Sequence, residues 1–226
     1  MQIMGWRFDA RIWARCVPFA LYMVFLAIEG VVAEHAPGID VRWIYPLKIV
    51  AVVAAIWHYR AFYSELSERP NWLWAGLLAP LFGVFVFVLW INMDSGWMVV
   101  GGGPGFDPRN ASGGYDWMLV STRLIGAALV VPLMEEMFWR SFLLRWIQMP
   151  AFLELAPAQI GLRAMLIGSV LFGIEHSLWF AGIVAGLVYA WLYRVSGNLW
   201  PPIVAHAVTN LTLGLWVLYS GQWRFW

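Results

Sequence analysis

The chain has 226 residues, 62% of them hydrophobic and 12% charged, with a mean hydropathy of +0.70. That is the composition of a polytopic membrane protein and excludes a soluble globular domain. The net charge of +1 gives no electrostatic footprint for nucleic acid. Cys16 is the only cysteine, which rules out an internal disulfide and a multi-cysteine metal site.

In chain order, Arg7, Arg11 and Arg15 precede an apolar run to Ala33, a pattern that reads as a signal anchor spanning roughly 13–33. A second span is expected near 43–62, with Lys48 snorkelling from it, and a third near 72–92. Glu29 is expected at an interface. A glycine-rich stretch, Asn92 to Asp116, is too polar and too broken to span. It is followed by an apolar segment at 117–148, longer than a bilayer requires. Further spans are expected near 160–178, 179–195 and 200–219, with Gly182 and Gly186 spaced for close helix packing. The expected fold is therefore all-α, a single membrane domain over 1–226 with about seven spans, six to eight being compatible with the text. The cations Arg7, Arg11, Arg15, Arg60, Arg69, Arg145, Arg163 and Arg194 fall on one side, which predicts a cytoplasmic N-terminus.

The segment Val130-Val-Pro-Leu-Met-Glu135-Glu136-Met-Phe-Trp-Arg140 places three ionisable groups inside a span, where charge is costly and marks function. Glu136 and Arg140 stand at i and i+4 with the acid first, the favourable order for an ion pair. Glu135 is turned about 100° away. One carboxylate is thus committed to a pair and one is left free. Two later spans carry Phe172-Gly-Ile-Glu175-His176 and His206-Ala-Val-Thr-Asn210, the last two polar groups sharing one helix face. Counted from the cation-rich ends at ~1.5 Å per residue, Glu135, His176 and His206 lie at similar depths of ~15, ~20 and ~18 Å. Glu175, turned about 100° from His176, faces a cavity or a loop by the same helical reckoning.

A free carboxylate held out of water can serve as general base near neutral pH. An imidazole beside it can share the water and move a proton. His206 and the Asn210 amide can donate to a developing oxyanion. Together these are the parts of amide hydrolysis without a covalent intermediate. Zinc held by Glu135, His176 and His206 is an alternative use of the same groups. A proton-coupled carrier and a catalytically silent scaffold are rivals from other classes. No His-Glu-x-x-His, Gly-x-Gly-Asp or Gly-x-Ser-Gly occurs, and Cys16 has no histidine near it in a deep span.

Glu135-Glu136-xxx-Arg140, Phe172-xxx-His176 and His206-xxx-Asn210, each on its own span, resemble the CPBP family. That family includes the type II CAAX prenyl endopeptidases and the bacterial intramembrane glutamic proteases. The resemblance covers residues 130–212, and no motif residue departs from the pattern. It implies a membrane endopeptidase with Glu135 and His176 activating water, His206 and Asn210 forming an oxyanion hole, and Glu136, Arg140 and Phe172 in support. It implies no cofactor, a protein or peptide substrate at or in the membrane, and a site opening toward the cytoplasmic side. It also implies residence in a bacterial inner membrane. The compact size is similar to the branch of CAAX-protease-like proteins found with exosortase systems, which implies association with protein sorting.

Overall fold

The computed structural model describes residues 9–103 and 105–226. Arg7, one of the cations used for topology, lies outside them. Among the described residues there are seven principal helices and no strand, only an isolated bridge between Arg109 and Tyr115. The helices are α1 (Ala10–His35), α2 (Ile44–His58), α3 (Leu73–Asn92), α4 (Trp117–Trp146), α5 (Leu162–Ile174), α6 (Trp179–Ser196) and α7 (Trp200–Ser220). Six are long and apolar enough to cross a bilayer; α2 reaches that length with the turn at Val41–Trp43. The protein is an integral membrane helix bundle, as the composition requires.

The exception is α5. Its 13 residues rise ~20 Å, short of the ~30 Å of hydrocarbon. The expected span to 178 is corrected: the helix stops at Ile174, and Glu175–Leu178 form a turn. No glycine or proline after Gly173 announces this stop. It is made by tertiary bonds from the glycine-rich segment. The Val100 amide donates to the Ser177 carbonyl at 2.8 Å, and Trp179 Nε1 donates to the Trp97 carbonyl at 2.8 Å.

Small residues set the packing around this turn. A Cβ on Gly182 of α6 would come within 2.9 Å of Gly173 Cα of α5, and one on Gly186 within 3.0 Å of Ser169 Cα. The small-xxx-small pair therefore packs α6 on α5. On the other side, a Cβ on Gly83 of α3 would overlap the Ala205 carbonyl of α7.

Helix α4 is not uniformly α-helical. It widens to π-helical register over Gly126–Val130 and again over Met137–Leu143, flanking the Glu135-Glu136 pair. Pro132 accounts for the first. In the widened stretch the Val131 amide reaches back to the Gly126 carbonyl. The next carbonyl, Ala127, would take the amide of residue 132, but a proline has none. The Asn210 side chain of α7 fills the gap, its Nδ2 donating to the Ala127 carbonyl at 2.8 Å.

Several cations assigned to the surface by sequence are interior. Arg15 is buried, with Nε 3.1 Å from Glu65 Oε1 and 2.9 Å from Ser141 Oγ, and a further bond to the Phe62 carbonyl. Arg145 donates to the Phe152 carbonyl and to the Tyr193 hydroxyl. Lys48 does not snorkel. It is enclosed between α1 and α2, 3.0 Å from Glu29 and over the rings of Tyr22 and Tyr45 at 4.5 and 4.9 Å. Glu29 is accordingly its partner rather than an interfacial charge. Arg11, Arg60, Arg69, Arg163 and Arg194 remain exposed.

Candidate active site

The three motifs meet. Glu136 is fully buried and shares Oε1 between two partners, Arg140 Nη1 at 3.0 Å and His206 Nδ1 at 2.9 Å. The i,i+4 pair expected on α4 is thus formed, with a histidine of α7 added to it. Glu135 is also buried but makes no hydrogen bond among the described residues. Its closest cationic neighbour is His206 Nε2 at 4.0 Å. It faces a cavity of about 230 Å³ bounded also by Glu175, His176, His206, Asn210 and Arg123.

His176 caps the end of α5 with its own side chain. Its backbone amide reaches only to Gly173, so the Phe172 carbonyl loses its helical donor, and His176 Nδ1 supplies one at 2.8 Å. A carbonyl only accepts, so Nδ1 carries the hydrogen. In the neutral ring Nε2 is then the acceptor, the form that can take a proton from water. The ring is held edge-on to Trp90 at 5.4 Å and beside Phe172 at 4.8 Å.

His206 stacks on Tyr189 at 4.9 Å, and the Tyr189 hydroxyl is fixed on Thr209 at 2.8 Å. With Glu136 ionised against Arg140, His206 Nδ1 is the donor in their bond. Nε2 can then donate to an oxyanion only as part of an imidazolium. Asn210 has one amide hydrogen on Ala127 and a second for other use. Phe172 joins the parts: the Arg140 guanidinium lies 4.5 Å over its ring, and both histidines flank it.

Glu175 belongs to this group, which the helical reckoning from His176 did not require. Because the chain has left the helix, the 100° separation does not apply. One oxygen or ring nitrogen from each of Glu135, Glu175 and His176 lies within 4.8 Å of the others. Glu175 Oε1 also accepts from Trp139 Nε1 at 3.2 Å. This is a different trio from the Glu135, His176 and His206 named as a zinc alternative, and its two carboxylates and imidazole have the chemistry of a divalent-metal site.

The far wall of the cavity is Arg123, near the start of α4, and Phe225 and Trp226. It extends toward the end that carries the glycine-rich segment, opposite Arg11, Arg60, Arg69, Arg163 and Arg194. A second hollow of about 350 Å³ beneath Val100 meets the other side of Glu175 and His176.

No curated protein and no solved structure matches the chain. Residues 117–212 match the family model described as type II CAAX prenyl endopeptidase Rce1-like, a stretch that contains all three motifs. The matched segment runs from α4 through most of α7 and is similar to the Rce1-like family of CAAX-type intramembrane proteases.

Proposed function

We propose that the protein is an intramembrane glutamic endopeptidase that hydrolyses a peptide bond of a membrane-associated protein. The observation that carries this reading is the asymmetry of the adjacent acids. Glu136 is held by Arg140 and His206, while Glu135 is buried, without a hydrogen bond among the described residues, and on the wall of a cavity. In the proposed reaction Glu135, with His176 Nε2, takes a proton from water. The hydroxyl oxygen adds to the carbonyl carbon, and His206 and Asn210 stabilise the oxyanion that forms. The C–N bond then breaks, and the proton passes to the leaving nitrogen. The second hollow at Glu175 and His176 supports a water route separate from the peptide's.

Arg11, Arg60, Arg69, Arg163 and Arg194, against Arg109 and Arg224 exposed at the other end and each paired with an aspartate, support an N-terminus on the cytoplasmic side of a bacterial inner membrane. No cofactor is required by this mechanism. The Glu135, Glu175 and His176 trio favours one second reading, a divalent metal that binds and activates the water.

Cleavage of a quenched peptide library by the purified protein in detergent tests both. Wild type is compared with Glu135→Gln and His206→Ala, with and without a chelator. Cleavage lost in both variants and kept under chelation is the expected result. Loss under chelation would move Glu135, Glu175 and His176 to metal ligands. A folded wild type that cleaves nothing in a broad library, with a cellular function that survives Glu135→Gln, would identify a scaffold.

A further inference from the structure

One acid of the cavity has no part in the reaction written above. Glu175 stands in the turn that ends α5, its side chain 14% exposed, and no arginine or lysine pairs with it among the described residues. Three other glutamates of the bundle interior are each answered by a cation: Glu29 by Lys48, Glu65 by Arg15 and Glu136 by Arg140. The basic atom beside Glu175, His176 Nδ1 at 4.0 Å, is committed to the Phe172 carbonyl. Oε1 of Glu175 accepts from Trp139 Nε1 at 3.2 Å, and Oε2 has no partner among the described residues. Glu175 also lines both hollows, the cavity of about 230 Å³ that it shares with Glu135 and the one of about 350 Å³ beneath Val100. It therefore stands where water from one side meets the candidate base on the other.

We propose that Glu175 is a water-positioning residue: its Oε2 accepts the second hydrogen of the water whose first hydrogen goes to Glu135 and His176. This rests on the peptidase reading above. Oxygens of the two acids approach within 4.8 Å. A water at ~2.8 Å from both spans a gap of that width. A water that gives both hydrogens to protein acceptors turns its lone pairs away from them, toward the space a peptide carbonyl would occupy. Its orientation is then fixed before the reaction, which is what positioning contributes. On attack the first proton leaves for Glu135 and His176, and an oxygen lone pair forms the C–O bond. The second hydrogen stays on that oxygen, still held by Glu175. Glu175 gains and loses no proton, so the role asks only for an acceptor oxygen. Trp139 decides which one, because it occupies Oε1 and leaves Oε2.

Peptide cleavage in neutral detergent is compared for wild type, Glu135→Gln, Glu175→Gln, Trp139→Phe and the double variant Glu175→Gln with Trp139→Phe, with a thermal midpoint for each. In Glu175→Gln the indole N–H draws the single amide oxygen, and the NH2 group, a donor, is left facing the water. There kcat is expected to fall about 10²-fold with KM little changed. Trp139→Phe removes the competing donor, so the amide oxygen can turn to the water. The double variant is therefore expected to regain about tenfold over Glu175→Gln alone. A residue that only props the turn would instead show two losses that add. If Trp139→Phe does not fold, formate added to Glu175→Ala decides: a returning kcat supports the role, and no return overturns it. An unchanged kcat in Glu175→Gln, or additive losses in the double variant, would overturn Glu175 while wild-type cleavage that is lost in Glu135→Gln keeps the peptidase. Turnover removed by a chelator and restored by zinc would overturn the role in favour of a metal ligand. A folded wild type that cleaves no peptide removes the peptidase reading, and this role with it.

Discussion

Two clusters of buried charge sit in this bundle and are built on opposite rules. Around Arg15 the donors of the guanidinium are taken by Glu65, Ser141 and the carbonyls of Arg11 and Phe62. Around Glu135 the acid has no hydrogen bond among the described residues, one histidine is 4.0 Å off, and a cavity lies beside it. A satisfied buried ion pair fixes geometry, because breaking it strands a charge. An unsatisfied one has groups left over for a ligand or a reaction. Sequence shows Arg15 at a span end and Glu135 inside a span; only their partners show which is satisfied.

The sharpest way to break the comparison is to neutralise one acid in each cluster. Glu135→Gln is expected to lower peptide turnover by about 10²–10⁴-fold, the scale of a lost general base. It should leave the thermal midpoint in detergent unchanged or raised, since no hydrogen bond is lost. A large drop in the midpoint would make Glu135 structural.

Glu65→Gln is expected to do the reverse. It should cost about 3–5 kcal/mol of stability by stranding Arg15, with turnover per folded molecule kept. The same cluster has a pH signature. Burial by itself would raise the Glu65 carboxyl, but the Arg15 and Ser141 contacts outweigh it and hold the group below its ordinary value of 4.5. A folded-state value below the unfolded one means the stabilisation is full above the ordinary range. It is lost as pH falls through the lowered value. Acid unfolding of wild type should therefore be steeper below the glutamate range than that of Glu65→Gln.

Asn210→Ala comes next, because it leaves the Ala127 carbonyl without a donor. A loss of about 1–3 kcal/mol in stability is expected. Turnover falls with it if the second amide hydrogen serves the oxyanion, and stays if Asn210 only mends the helix. The smallest effect is expected from Asp40→Asn. Arg42 sits on this surface carboxyl and holds it below its ordinary value, but a pair so open to solvent contributes under about 1 kcal/mol.

How much of this was legible in the sequence divides along the same line. Periodicity and apolar length place the long helices, and i,i+4 spacing gives the Glu136–Arg140 pair, because both are properties of one helix. What depends on a second element is not so written. The end of α5 at Ile174 is imposed by Val100 and Trp97, which lie far away in sequence, and with it Glu175 enters the site. Lys48 and Arg15 read as surface cations because a lone basic residue near a span end usually is one. Only the fold brings Glu29 and Glu65 to them. Pro132 beside a polar residue on another helix was the one available hint of a mended helical ladder, and it is weak without the register.

That widened stretch of α4 also acts as a phase shifter. On an unbroken helix, twelve residues at 100° each would leave Arg123 and Glu135 roughly 120° apart, facing different neighbours. The π-helical turn absorbs one residue, and the same interval then closes to roughly 20°. Acid and guanidinium can look into one chamber because a proline has no hydrogen to give. Any change that lets the ladder run α-helical from end to end would rotate the two apart without altering either residue.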